Sequence, residues 1–326
     1  MMMRILPLAA LALTACNGAG DFRSAVPQRD NVQMRVPQSG GQALTLGETA
    51  SLYSESVKIA TSVNGGVLWV FDVIDLIIAQ PPTTLDETSA VWGPSEPRGL
   101  ERLSYRFTVV KLEEQHFTYV LEARLKDADG DFTEIFTGEA FPTDDNDGHG
   151  TLSYNLGSLR GLDGEDACLT GVIDVAYDAT SEPRALDVVF TQVADECAGE
   201  RPTNAHYVYA ENLDKSGHMD FAFRANIHGD DENKPLEEIM SVRTRWLASG
   251  AGRSDVQVSE GEVPADLEAN IPGTTATSVE LVQCWDDSFA LVYGDTAPDE
   301  LEPHLNNELV GDASLCAMAD ASFAEL

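Results

Sequence analysis

From Thr49 onward, Leu52, Ser56, Ile59, Val63, Val67, Val70, Ile74 and Ile77 recur at the spacing of one helix face. The pattern predicts a long helix over about 49–80, with Asn64-Gly65-Gly66 as a kink or break and Pro81-Pro82 as its stop. Its second half, Val67 to Ala79, is apolar nearly all round and so requires cover on several sides. Asp72 and Asp75 share one face, in solvated or capping positions. From Ser89 the period changes to two. Phe117, Tyr119, Leu121, Ala123 and Leu125 alternate with Thr118, Val120, Glu122 and Arg124, and Met219 to Ile227 repeat the alternation. Comparable runs cover about 104–112, 132–141, 151–156, 169–178, 184–193, 204–212, 237–248, 254–262 and 277–284. Turn pairs such as Asp129-Gly130, Asp147-Gly148, Glu182-Pro183 and Ser216-Gly217 separate them.

About ten or eleven strands over 89–284 with short connections imply a large antiparallel up-and-down meander. A sheet of that size curls, so the expected fold is a β-dominated α+β domain, a partial or closed barrel packed on one long N-terminal helix. In such a meander alternate turns share an edge. His116, His149 and His218 then belong to one edge, and His206 and His228 to the other. The segment Trp285 to Tyr293 returns to helical spacing within a C-terminal stretch, 285–326.

Ahead of the helix the chain changes character twice. Residues 16–47, rich in Gly, Gln, Ser and Pro, read as a flexible tether with a reach of about 30 Å, although a docked strand is an alternative around Val32 to Val36. Residues 1–15 carry one basic residue, Arg4, and then an apolar stretch too short to span a bilayer, which makes them a signal peptide. Its end, Leu13-Thr14-Ala15-Cys16, resembles the lipobox of bacterial lipoproteins. That resemblance implies cleavage before Cys16, acylation of Cys16, and a cell-envelope location anchored by lipid. Asn17 after the cysteine points to the outer membrane over the inner. Residues 48–326 form a single β-rich domain by this reading.

With 55 acidic and 20 basic residues the formal charge is −35, which repels nucleic acid and anionic headgroups. Four cysteines besides Cys16 suggest two disulfides in an exported chain, with three possible pairings. The hairpin of 169–178 and 184–193 brings its flanks, Cys168 and Cys197, to one end, which leaves Cys284 for Cys316. Zinc is disfavoured because no Cys-x-x-Cys pair or suitably spaced histidine is present.

Candidate chemistry is sparse. Asp147-Gly148-His149-Gly150-Thr151 echoes the histidine motif of subtilisin-like proteases, but the segment that follows reads as a strand and no nucleophile segment exists. Asp127, Asp129 and Asp131 around Gly130, and Asp145 and Asp147 before Gly148, are fragments of calcium-loop patterns that lack the closing glutamate. Plain hairpin turns are the favoured account, and because one strand separates the two groups they cannot share an ion. No cofactor is called for, with calcium as the alternative. Hydrolase, zinc-protease, phosphate-loop and dinucleotide motifs are absent.

Three stretches, Ala90-Val91-Trp92-Gly93-Pro94, Val242 to Arg253 and Cys284-Trp285-Asp286-Asp287-Ser288-Phe289, resemble segments of acidic β-rich bacterial lipoproteins of uncharacterised function. The resemblance implies no activity, and only the lipid-bearing Cys16 is carried over from it. The expectation is a lipid-anchored envelope protein, not an enzyme, with a binding or assembly role. Its partners would be the membrane through Cys16 and an envelope protein or a lipid. The alternatives are a carrier of an apolar ligand in the curved sheet and a carboxylate- or calcium-dependent enzyme.

Overall fold

A computed structural model describes residues 20, 22–37, 49–96, 102–126, 130–143, 147–163, 167–199, 201–229, 232–299 and 310–318. One helix, Ser51–Ile78, and one antiparallel sheet dominate it. The strands are β1 (Thr84–Leu85), β2 (Ser89–Ser95), β3 (Leu103–Glu113), β4 (His116–Leu125), β5 (Thr133–Pro142), β6 (Gly148–Asn155), β7 (Leu169–Asp178) and β8 (Arg184–Asp195). They continue as β9 (Thr203–Glu211), β10 (Gly217–Ala225), β11 (Glu238–Trp246), β12 (Gly252–Glu260), β13 (Ser278–Trp285), β14 (Leu291–Ala297) and β15 (Val310–Gly311). Spatial order equals sequence order throughout, so the sheet is an unclosed meander of fifteen strands rather than ten or eleven. The eleven runs correspond to β3–β13, and the additions among the described residues are β2, β14 and the two-residue edge pieces β1 and β15. Trp285 to Tyr293 is a hairpin and not a helix, because the Asp286 carboxylate accepts from the backbone N–H of Ser288 and Ala290 and folds the chain back.

Strand alternation sorts the two faces along one register row that crosses the sheet between its bulges. Ala90, Val109, Tyr119, Gly138, Leu152, Val175, Val188, Tyr207, Phe221, Val242, Val256 and Leu281 are successive register partners from β2 to β13, an unbroken inward row. The helix lies against this inner face. It buries Val63, Val67, Val70, Phe71, Val73, Ile74 and Ile77. Each fully buried side chain of this kind contributes about 1.5–3 kcal/mol. That outweighs the roughly 1 kcal/mol that each mid-helix glycine costs, so the helix runs straight through Gly65-Gly66 where the sequence suggests a break.

Polar pegs fix the helix along its length. Gln283 accepts from the Leu52 N–H at 3.0 Å, satisfying a free donor of the first turn. The hydroxyls of Ser56 and Thr244 meet at 2.6 Å, Tyr154 donates to the Val67 carbonyl at 2.7 Å, and the Trp92 indole donates to the Gln80 carbonyl at 3.0 Å. By length and composition this helix could cross a membrane. Its pegs and its burial make it the core of the β domain instead.

Glycine sets the curvature on the inner face. Trp246 lies across Gly217 and Trp285 across Gly252, where a Cβ would sit 2.8 and 2.6 Å from the ring, and both indoles donate to a carbonyl two residues before that glycine. Tyr119 over Gly138 and Tyr177 over Gly150 repeat the device nearer the centre. The disulfides are Cys168–Cys197 and Cys284–Cys316, with Cα separations of 5.2 and 5.4 Å, as the hairpin geometry requires.

Two tyrosines in this core should respond oppositely to loss of their hydroxyls. Burial holds both phenols well above their ordinary pKa. The Tyr119 hydroxyl is buried without a hydrogen-bond partner, so Tyr119→Phe is expected to be neutral or to stabilise by up to about 1 kcal/mol. Tyr154→Phe should destabilise by about 0.5–1.5 kcal/mol. Urea unfolding midpoints of the two variants check this, and a larger loss for Tyr119→Phe would be inconsistent with it.

Candidate functional site

Residues 22–37 do not form a tether. Phe22, Ala25, Val26, Val32, Met34 and Val36 are all buried, and the segment runs as a strap along one edge of the sheet, over the helix. At its start Phe22 packs edge-on against Phe117, and Arg23 donates to the Ile78 and Gln80 carbonyls, both at 2.9 Å, closing the C-terminal end of the helix. Arg29 pairs with Asp72 and Asp75, so those two acids hold the strap. Toward the other end of the strap, Asn64 makes two 2.8 Å bonds to the backbone of Met34, donating to its carbonyl and accepting from its N–H.

The far end of the strap is held by a buried ionic cluster on β8 and β9. Arg184 donates to the carbonyls of Asp30 and Gln33, each at 2.6 Å, and lies 3.2 Å from Glu211. Glu211 also accepts from the Tyr209 hydroxyl at 2.7 Å and pairs with Lys215 at 3.0 Å. Tyr209 in turn accepts from the Arg35 N–H. Burial pushes the Glu211 carboxyl up, but the bonds from Tyr209 and Lys215 and the charge of Arg184 outweigh it and leave the pKa lowered.

The strap and helix occupy the concave side, so open surface lies on the outer face. Two hollows there, of about 1090 and 500 Å³, meet at Val189. Val120, Thr137, Ser153, Asp174, Val189, His206, Ala222, Ser241 and Gln257 are register partners in one row from β4 to β12, and that row is the floor. Eight strand spacings of about 4.8 Å make a belt of roughly 38 Å. Twisted strands pinch such a sheet at its waist, and short side chains along the row deepen the groove. Polar pairs run along it and beside it: His206 with Asp187 at 2.9 Å, Ser153 donating to Asp174 at 2.6 Å, and Arg224 with Glu260 at 2.8 Å.

Beside the belt, Arg243 makes two bonds to Asp220 at 3.2 and 3.1 Å, Arg253 pairs with Asp255 at 2.6 Å, and Arg245 stands 3.6 Å from Asp220. Burial lowers the pKa of the adjacent His218, with Asp220 opposing and Arg245 and Arg243 reinforcing the shift. The pairs with Asp220 tie β11 to β10 on the outside, whereas Arg253 and Asp255 both belong to β12.

The remaining sequence candidates do not converge. Asp127, Asp129 and Asp145 lie outside the described residues. Asp131 precedes β5 and Asp147 follows it, so a whole strand separates them and they share no site. His116, His149 and His218 do lie toward one edge and His228 toward the other, whereas His206 sits mid-strand in the belt rather than at an edge. His116 and His149 stack on opposite sides of Phe141. Among the described residues, the one group with metal-ligand spacing is Cys168, Asp195 and Cys197, where both sulfurs are spent in the disulfide and Asp195 accepts from the Cys197 and Ala198 N–H groups.

No family model, no curated protein and no solved structure matches this chain.

The clamp at Glu211 should govern the strap. Removing one partner of a buried pair costs about 3–5 kcal/mol, so Arg184→Ala is expected to loosen residues 30–35 and expose Arg29 and Arg35 to trypsin. Because the folded carboxyl titrates below its ordinary value, its contribution is complete above about pH 5 and is lost as pH falls through the lowered value. Hydrogen exchange of the amides of 31–35, corrected for intrinsic rates, should show this acid weakening in the parent protein and not in Glu211→Gln.

Proposed function

We propose that the chain is a lipid-anchored cell-envelope protein with a non-catalytic binding or assembly role, held by an acylated Cys16 and acting through the belt on the outer face. One observation carries the choice between binding modes. The concave side, where a carrier would shelter an acyl chain, is taken up by Phe71, Ile74 and Ile77 of the helix and by Phe22, Val26, Val32 and Met34 of the strap. Ligand binding there would require both to leave. The belt is open, broad and lined by short polar and apolar side chains, which suits an extended or flat protein surface better than a small molecule.

The anchor is tested by mass spectrometry of the mature chain from a bacterial membrane fraction. Acylation at Cys16 is expected, and Cys16→Ser should move the protein to the soluble fraction. The belt is tested by a photo-crosslinking side chain at Ser241 in intact cells, with one at Glu262 on the sheet end as control. A discrete adduct at Ser241 that disappears with Ala222→Arg, at unchanged thermal stability, is the expected result. Equal adducts from both positions would remove the belt as the binding surface.

A further inference from the structure

The strap also fixes how the domain stands on its membrane, given the proposed anchor at Cys16. Phe22 is locked on Phe117 and Arg23 on the helix end, so only residues 17–21 separate the lipid-bearing cysteine from packed structure. Six Cα steps of at most about 3.6 Å allow no more than roughly 20 Å between Cys16 and Phe22. The strand β4 alone is longer than that: ten residues at about 3.3 Å span roughly 33 Å. Phe117 lies one residue into β4, at the edge that, among the described residues, is formed by the turns 114–115, 179–183, 212–216, 247–251 and 286–290. Standing the domain on its opposite edge would lift Phe22 a strand length, roughly 33 Å, above the bilayer, beyond the leash, so that orientation is barred whenever Cys16 is inserted.

We infer that this edge is a membrane-facing surface and that its ligand is a lipid bilayer with little net charge. Three hairpins end there in exposed leucines, Leu112, Leu213 and Leu247, of which Leu213 is 83% exposed. The opposite edge has its own exposed apolar residues, Leu169, Ile227 and Leu236, so exposure alone does not choose the side. The short leash chooses it. Acids accompany the leucines, including Glu114, Asp214 and Asp287, and like charge keeps this edge from an anionic leaflet. Zwitterionic headgroups carry no such penalty. Strands then rise from the bilayer, and the belt, half a strand up, runs parallel to the membrane at roughly 15 Å above it.

The test places one tryptophan on each edge, Leu213→Trp and Leu236→Trp, in the acylated protein reconstituted into phosphatidylcholine vesicles with and without brominated acyl chains. Bromine quenches only at contact range; Trp92, Trp246 and Trp285 are buried, and the half-buried Trp69 is replaced by Phe in both variants and in the parent that supplies the background. Extra loss of fluorescence is expected for Leu213→Trp and none for Leu236→Trp, and phosphatidylglycerol in the vesicles should reduce the loss. Quenching of Leu236→Trp instead, or of both alike, would overturn the orientation. The same pair in a chain beginning at Cys16 and coupled through its thiol to a maleimide lipid separates the two ideas. If natural acylation is absent, the anchor reading fails, while the coupled protein still reports which edge meets the lipid. Absence of quenching at position 213 in the coupled protein overturns the orientation whatever the state of the natural anchor.

Discussion

The structure depends on mutual burial of one helix and one curled sheet that does not close. Twelve strands contribute an uninterrupted inward row, and the helix presents Val67, Val70, Phe71, Ile74 and Ile77 to it. Neither element could persist alone. An isolated helix this apolar would aggregate or enter a membrane, and an unclosed sheet with a bare concave face would expose a patch far larger than a soluble monomer carries. The pegs from Gln283, Thr244, Tyr154 and Trp92 convert apolar attraction into a single register.

The strap completes what the sheet leaves open. An open meander has a mouth, and residues 22–37 lie across it, with Arg23 fixing one end to the helix and Arg184 and Asn64 together holding Asp30 to Met34 toward the other. In a chain with 20 basic residues against 55 acidic ones, Arg23, Arg29 and Arg35 are all spent on this segment or on its hold on the helix. The strap also links fold to address. It carries the chain from the edge of the domain to Cys16 within a few residues, so the same contacts that cover the helix set the distance to the membrane.

Periodicity made the helix, most strands, the meander and the Cys168–Cys197 disulfide legible, because each depends on local spacing or on the two ends of one hairpin, and Cys284–Cys316 followed by exclusion. The strap was only half legible. Val32, Met34 and Val36 alternate with Gln33 and Arg35 and are docked, which is the alternative the sequence offered there, whereas Phe22, Ala25 and Val26 are three apolar residues among Gly, Gln and Pro neighbours that resemble a linker. The crowding of three arginines into a basic-poor chain was the available signal. Asn64-Gly65-Gly66 misled for a related reason: the asparagine is polar for the sake of Met34, a partner thirty residues away. The belt could not be read at all, since Thr137, Ser153, Ala222 and Ser241 become a row only through strand register.

The central claim is that the concave side is filled from within the chain and holds no ligand. Native mass spectrometry of a soluble form beginning after Cys16, purified without detergent from cells that make lipids normally, tests it most directly. The predicted mass is that of the polypeptide with two disulfides and nothing else. A stoichiometric co-purified lipid or other apolar molecule, released together with the strap on Arg184→Ala, would contradict the account.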